Sequence, residues 1–314
     1  MRPAAPPPAN RSGWKELAWN GIRLAVPPEW EPGRIEAHRL LLESESGPAM
    51  EVKWGPVRGA FSHERHFRRL RTLGTAAGAA ARRCPLPAAW EPALNRYDAA
   101  GFCWAGGETA ATGAIFYCPR RRTAGLIQFF HGPGSPADPG RTAAVLDRLQ
   151  LPDESRGTRW AVFDLCAELP GGFRLIRHRF EPGRFSLAFA SGRCRIELAR
   201  WAPAAVLLKH HDLETFAHSQ TDWGALRFAA VEAAGPAVVE GQTAAPAGLI
   251  EKLAATAGRR TACRARLWHV AARNRILGIR MQDRGAINAA LWEKVVAAYG
   301  LVVLPAPAAP HPPR

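Results

Sequence analysis

Lysine is scarce in this 314-residue chain: of 42 basic residues only Lys15, Lys53, Lys209, Lys252 and Lys294 are lysine, and the other 37 are arginine. That bias accompanies a large alanine content, as in a GC-rich coding sequence, so it is weak testimony to selection for polyanion binding. Long apolar runs are missing too. No stretch approaches about 18 consecutive apolar residues, which excludes a transmembrane helix. The opening MRPAAPPPANRSG has no apolar core of the kind a signal peptide carries, so a cytoplasmic protein is expected. Paired cysteine motifs are absent as well. Cys84, Cys103, Cys118, Cys166, Cys194 and Cys263 form no CxxC and no zinc-ribbon spacing. Most stand in apolar, strand-like runs, so buried reduced thiols are expected rather than a disulfide framework. No GxSxG elbow, no phosphate-loop lysine motif and no GxGxxG opening a helix occurs, so no cofactor is expected and nucleophilic or nucleotide chemistry has no foothold.

What is present describes a folded protein of about two domains. Apolar residues make up 47% of the chain and charged residues 22%, enough for a real core. The formal charge is +15, and it is spread rather than held in a tail. Residues 14–152 carry 18 basic and 13 acidic side chains, a net +5; residues 158–304 carry 20 and 12, a net +8.

The chain reads as a sequence written twice. Lys53-Trp54-Gly55-Pro56 recurs as Arg200-Trp201-Ala202-Pro203 at an offset of 147, which also sets His210 on His63. Pro27-Pro28-Glu29-Trp30 recurs as Pro170-Gly171-Gly172-Phe173 at an offset of 143. The run 114–130 matches 265–281, and the closing helical runs around Val145 and Val295 match in turn. The expected organisation is a disordered Pro/Ala-rich segment 1–13, a first repeat 14–152, a linker 153–157, a second repeat 158–304 and a disordered Pro-rich tail 305–314.

Each copy reads as α+β. Ile22, Leu24 and Val26 alternate with Arg23 and Ala25 as a half-buried strand ending at Pro27-Pro28. Leu40 and Leu42 mark a second strand, and Met50, Val52 and Trp54 a third. A helix is expected from Ser62, an N-cap, with Phe67 and Leu70 on its apolar face beside His63. A short run Phe102–Trp104 and two longer strands near 112–118 and 124–130 follow. Asp138-Pro139 then opens a last helix. In the second copy, strands are expected through Phe185–Phe189, Ile196–Leu198, 263–271 and 275–281. Helices are expected from about His210, over an extra segment Gly248–Ala257, and through Ile287–Ala298. Antiparallel strands with helices segregated to their faces follow from that order.

This order of elements, with its strand ending in a Pro-x-x-aromatic step, resembles the PsbP/DcrB-like fold. The matching pieces are Ile22–Trp30, Met50–Trp54 and 112–149 in one copy, and Cys166–Phe173, Ile196–Trp201 and 263–298 in the other. The second copy departs from the pattern with Phe173 in place of the tryptophan. The resemblance implies a small non-catalytic module that binds other proteins, and it carries no functional residue over.

Candidate site residues come from the strands and the histidines. In the strand Cys263–Val270, Arg264, Arg266 and Trp268 share one face, while Arg193 and Arg195 alternate with Cys194 and Ile196. A basic and aromatic face of this kind suits an acidic protein partner; stacked against bases, it could instead clamp a nucleic-acid strand. His211, Glu214 and His218 fall on one side of an expected helix and form a possible three-ligand metal set. His63 and His210 are expected to be equivalent helix-start residues packed on their own sheets. Glu43, Glu45 and Glu51 are expected on the solvated face of a hairpin. The reading is a non-catalytic binding or scaffold protein for an acidic protein partner, with nucleic-acid binding and metal binding as alternatives.

Overall fold

The computed structural model describes residues 13–76, 80–135, 137–153, 157–220, 223, 226–231, 237–243 and 261–302. The segment Gly248–Ala257, the linker residues 154–156 and the two terminal segments lie outside them. The chain divides into two compact units, one built from residues up to Asp164 together with Leu301 and Val302, the other from Leu165–Gly300.

The first unit opens with a tight hairpin, β1 (Lys15–Trp19) and β2 (Ile22–Val26). Asn20 and Gly21 between them have φ of 46° and 88°, the left-handed pair that a two-residue hairpin turn requires. The hairpin β3 (Glu31–Glu36) and β4 (Arg39–Ser44) leads into the long β5 (Gly47–Pro56) and then α1 (His63–Ala76). The Ser62 hydroxyl caps α1 by accepting from the Arg65 amide at 3.3 Å. There follow β6 (Arg82–Arg83), the short α2 (Glu91–Leu94), β7 (Asp98–Gly106), β8 (Thr109–Cys118), β9 (Thr123–His131) and α3 (Pro139–Asp147). Asp138 caps α3 through the amides of Gly140 and Arg141, with Pro139 in the first turn. The last strand of this unit is β10 (Thr158–Val162), antiparallel to β1 with Ala18 opposite Ala161. Trp19 and Trp160 meet edge to face there, at 5.3 Å.

A seven-stranded antiparallel sheet in the order β3-β4-β5-β9-β8-β7-β6 forms the body of the first unit. Its two faces follow from the register. Val52 pairs with Ile127 and Met50 with Phe129, and both pairs are fully buried on the face that carries Trp90 and α3. Trp90 donates to the Thr142 hydroxyl of α3 at 2.7 Å. The opposite face carries α1, whose Phe67 packs with Phe102 and Ile115.

The second unit runs β11 (Leu165–Leu169), β12 (Arg174–Glu181), β13 (Arg184–Ser191), β14 (Cys194–Trp201), α4 (Ala204–Leu207), α5 (Leu213–His218), β15 (Arg227–Val231), β16 (Val238–Gln242), β17 (Thr261–Val270), β18 (Arg275–Arg284) and α6 (Ala289–Ala298). Its sheet has the order β12-β13-β14-β18-β17-β16-β15. With β3 set on β12 and so on, this is the strand order of the first unit. The expected α+β class is observed, mostly antiparallel with helices on the faces.

Two details of the alignment differ from expectation. The helix expected from His210 begins at Leu213 behind an Asp212 cap; His210 and His211 lie in the exposed turn before it, so His210 does not start a helix as His63 does. Trp54 and Trp201 occupy corresponding strands but opposite faces. Trp54 pairs with Gly125, on the side of Ile127 and Phe129. Trp201 packs with Phe216 and Trp223 on the α5 side. Glu51 pairs with Gln128 in the first sheet and Glu197 with Arg280 in the second. That correspondence is an offset of 146, one residue from the offset read at the tryptophans, and one residue is enough to exchange faces in a strand.

Candidate binding surface

Arg264, Arg266 and Trp268 do share one face of β17, as alternation requires, but that face is covered. Alternating Cys263, Ala265 and Leu267 are buried against the α5 side. On the other side, the Arg264 guanidinium lies 4.6 Å from the Trp292 ring centroid of α6, and Trp268 meets Tyr299 edge to face. Both arginines grip one carboxylate: Arg266 Nε donates to Glu240 Oε1 at 2.6 Å and Arg264 to Glu240 Oε2 at 3.1 Å. Burial pushes the Glu240 carboxyl up, and the two guanidinium groups more than offset that, holding it below the ordinary carboxylate range. The positive charge on this face is therefore largely answered from within the unit.

Arg195 is on the opposite face, since Arg195 and Cys263 both pair with Gln282. Arg193 sits in the β13–β14 turn, and both are exposed. The five residues named from the sequence do not make one surface. Nor do His211, Glu214 and His218 gather. His211 precedes the helix, His218 Nδ1 is 3.0 Å from the Glu214 carbonyl and its Nε2 accepts from the Phe228 amide at 3.4 Å. Among the described residues no three His, Cys, Asp or Glu side chains are grouped to hold a metal ion.

A denser basic surface lies on the first unit. Positions 64, 67, 68 and 71 fall on one side of α1 by helical spacing, and that side meets the edge strand β6. Glu64, Phe67, Arg68, Arg71, Ala81, Arg82 and Arg83 line a groove of about 240 Å³. Phe67 and Ala81 are its buried floor, and the Arg83 guanidinium caps Phe67 at 4.7 Å while donating to Glu64 at 2.5 Å. Glu64 is the one acidic residue between positions 57 and 90, against Arg58, Arg65, Arg68, Arg69, Arg71, Arg82 and Arg83, all exposed. Spatial closeness of α1 and β6 makes this surface, and a linear charge count spread over half the chain dilutes it. The clustering of those arginines within 58–83 was the available signal.

One carboxylate reverses its expected place. Glu43 and Glu45 are exposed, whereas Glu51 is 3% exposed on the α1 face of the sheet. It accepts from Arg39 Nε at 2.6 Å and from Gln128 Nε2 at 2.8 Å, with Lys53 Nζ at 3.1 Å. Gln128 in turn accepts from Trp104 Nε1 at 2.9 Å. In the second unit Glu197 is approached by Arg184 at 3.4 Å and Arg280 at 3.7 Å.

No protein-family model and no curated protein matches the sequence. Solved structures do. A structure from Bacteroides thetaiotaomicron VPI-5482 is similar with a TM-score of 0.31 and 10% identity over 49% of this chain; the chain spans only 53% of that structure's length. The Saccharomyces cerevisiae Ran-binding protein Mog1p is similar with a TM-score of 0.31 and 10% identity, over 47% of this chain and 96% of Mog1p. A point mutant of Mog1 gives 0.30 and 9% over the same shares. At this level of likeness no activity or partner is transferred. No helix among the described residues is long and apolar enough to cross a membrane.

Proposed function

We propose that the chain is a non-catalytic, cytoplasmic binding protein, a PsbP/DcrB-like α+β unit written twice, that holds an acidic protein partner on the arginine surface of α1 and β6. The observation carrying this reading is the groove between α1 and β6, where Arg68, Arg71, Arg82 and Arg83 surround a small apolar floor and Glu64 is the one acid among the described lining residues. Guanidinium groups match carboxylates in a planar fork, so such a cluster suits aspartate and glutamate side chains of a partner. Base stacking is not served there. Phe67 is buried beneath Arg83, and Phe61 is half-buried and stacked on Tyr117 at 4.6 Å, so the groove offers charge without an open aromatic platform.

Duplication is supported by the common strand order and by backbone detail. Four non-glycine residues among those described have positive φ, and they fall into two pairs: Asn20 with Phe163, each just after a short strand, and Arg122 with Asn274, each just before a long one. Titrating a labelled polyglutamate peptide with the full chain and following fluorescence anisotropy tests the binding reading. Saturable binding that weakens as salt rises from about 50 to 200 mM is expected, because exposed charges are screened over about 10 Å. Tighter binding of a single-stranded oligonucleotide than of the peptide, or binding of neither, overturns it.

A further inference from the structure

The edge strand β6 is bonded to β7 on one side and, among the described residues, has no strand on the other. Its register fixes which backbone groups face outward. Arg82 is opposite Cys103 and Arg83 opposite Phe102, and the Cys84 amide donates to the Gly101 carbonyl at 3.3 Å. Hydrogen-bonded and non-bonded pairs alternate along an antiparallel ladder. Arg82 and Cys84 therefore turn their N–H and C=O groups towards β7, and Arg83 turns both of its own away from it. Side chains alternate as well. Arg83 is on the α1 face with Phe67 and Phe102, and Arg82 is on the other. The Arg83 guanidinium is held by Glu64, while Arg68 of α1 and Arg82 stand exposed at the same groove.

We propose that the acidic partner lies along β6 as an extended strand, pairing with the backbone of Arg83 while Arg68 and Arg82 answer its carboxylates. This rests on the reading of the α1–β6 groove as the binding site and adds the form of the bound segment. The Arg83 N–H donates to a partner carbonyl and the Arg83 C=O accepts from a partner amide, the exchange by which a peptide joins a sheet edge. Pro85, two residues on, has no N–H to offer, so the pairing is short and centred on Arg83. Charge selects the sequence. A strand laid there sends successive side chains to alternate faces, and a guanidinium stands on each, Arg68 on the α1 side and Arg82 on the other. The segment recognised is therefore a run of consecutive aspartates or glutamates, not an alternation of acidic and apolar residues. Such a run repels itself into an extended chain before it binds, which suits a strand. A second copy of β6 is a poor occupant, because it would set Arg82 and Arg83 against their like.

The experiment is amide hydrogen exchange of the isotope-labelled full-length protein, followed residue by residue by NMR with and without saturating octaglutamate. A parallel titration uses octaglutamate N-methylated at every peptide bond, which keeps the carboxylates and cannot donate from its backbone. The Arg83 amide should exchange at least about tenfold more slowly in the complex, while the Arg82 and Cys84 amides, already turned to β7, change little. The N-methylated peptide should bind at least about tenfold more weakly. An Arg83 amide no slower in the saturated complex, or equal binding of the N-methylated peptide, overturns the strand geometry and leaves the groove reading standing. Absence of octaglutamate binding overturns both. Slowing of the Arg83 amide as the protein alone is concentrated assigns the edge to a second copy and likewise overturns the proposal.

Discussion

Replacing Glu51 by glutamine keeps the shape of the side chain and removes its charge, at a position where the structure sets three donors against two carboxylate oxygens. Arg39 Nε faces Oε1 at 2.6 Å; Gln128 Nε2 and Lys53 Nζ face Oε2 at 2.8 and 3.1 Å. An amide retains one acceptor oxygen, so its NH2 must point at one of these donor groups. If the NH2 faces Arg39, a charged donor loses its acceptor; if it faces Gln128 and Lys53, two donors do. A stranded buried donor costs about 1–3 kcal/mol, more when charged. The Arg39 and Lys53 side chains are 28% and 47% exposed and regain some water, which lowers the sum. The net expectation for E51Q is a loss of about 2–3 kcal/mol, or a midpoint lower by about 4–12 °C for a unit of this size. Urea unfolding followed by tryptophan fluorescence, with a calorimetric scan, measures it. E45Q, on an exposed side chain, is the control and should stay within about 0.5 kcal/mol. A change in E51Q as small as the control's would refute the claim that this carboxylate organises the α1 face of the sheet.

Two further outcomes follow from the second unit. The double charge reversal R264E/R266E should be destabilising by about 2–4 kcal/mol, because it sets two new carboxylates beside Glu240 and removes the guanidinium over Trp292; wild-type stability in chemical denaturation would show that Glu240 does not hold that face. Glu240 should also mark the acid limb of the stability curve. Its folded pKa is depressed, so its contribution is complete above the unfolded carboxylate value of about 4.3 and is lost as pH falls through the folded value. Substitution to glutamine should remove that component, and identical acid limbs for wild type and E240Q would contradict the assignment.

Much of this fold was legible because alternation and caps are local. The strands through Met50–Trp54 and 263–270, the Ser62 cap and the Asp138-Pro139 start all stand where the residue types place them. The edges were not legible. β3 reads EPGRIE, with a proline, a glycine and three charges, and it is a strand because it pairs on one side only and leaves the other to water. Glu51 looked like a surface residue because its decisive partner, Gln128, is 77 positions away. Alternation correctly told which side chains share a face of β17. It could not tell that α6 and Glu240 occupy that face, since a face is defined by one strand and its cover by others. The basic groove escaped for a related reason: α1 and β6 become one surface only when β6 closes the sheet edge.

Localising the acidic peptide is the most direct measurement of the central claim. Two variants are compared with wild type in the polyglutamate titration, R68E/R82E in the α1–β6 groove and R193E/R195E at the exposed β13–β14 turn and the start of β14, each first shown to be folded by circular dichroism. The groove variant should lose at least about tenfold in affinity, the equivalent of about 1.4 kcal/mol, with a flatter salt dependence, while the turn variant binds as wild type does. Undiminished binding by R68E/R82E, or a loss confined to R193E/R195E, would contradict the account.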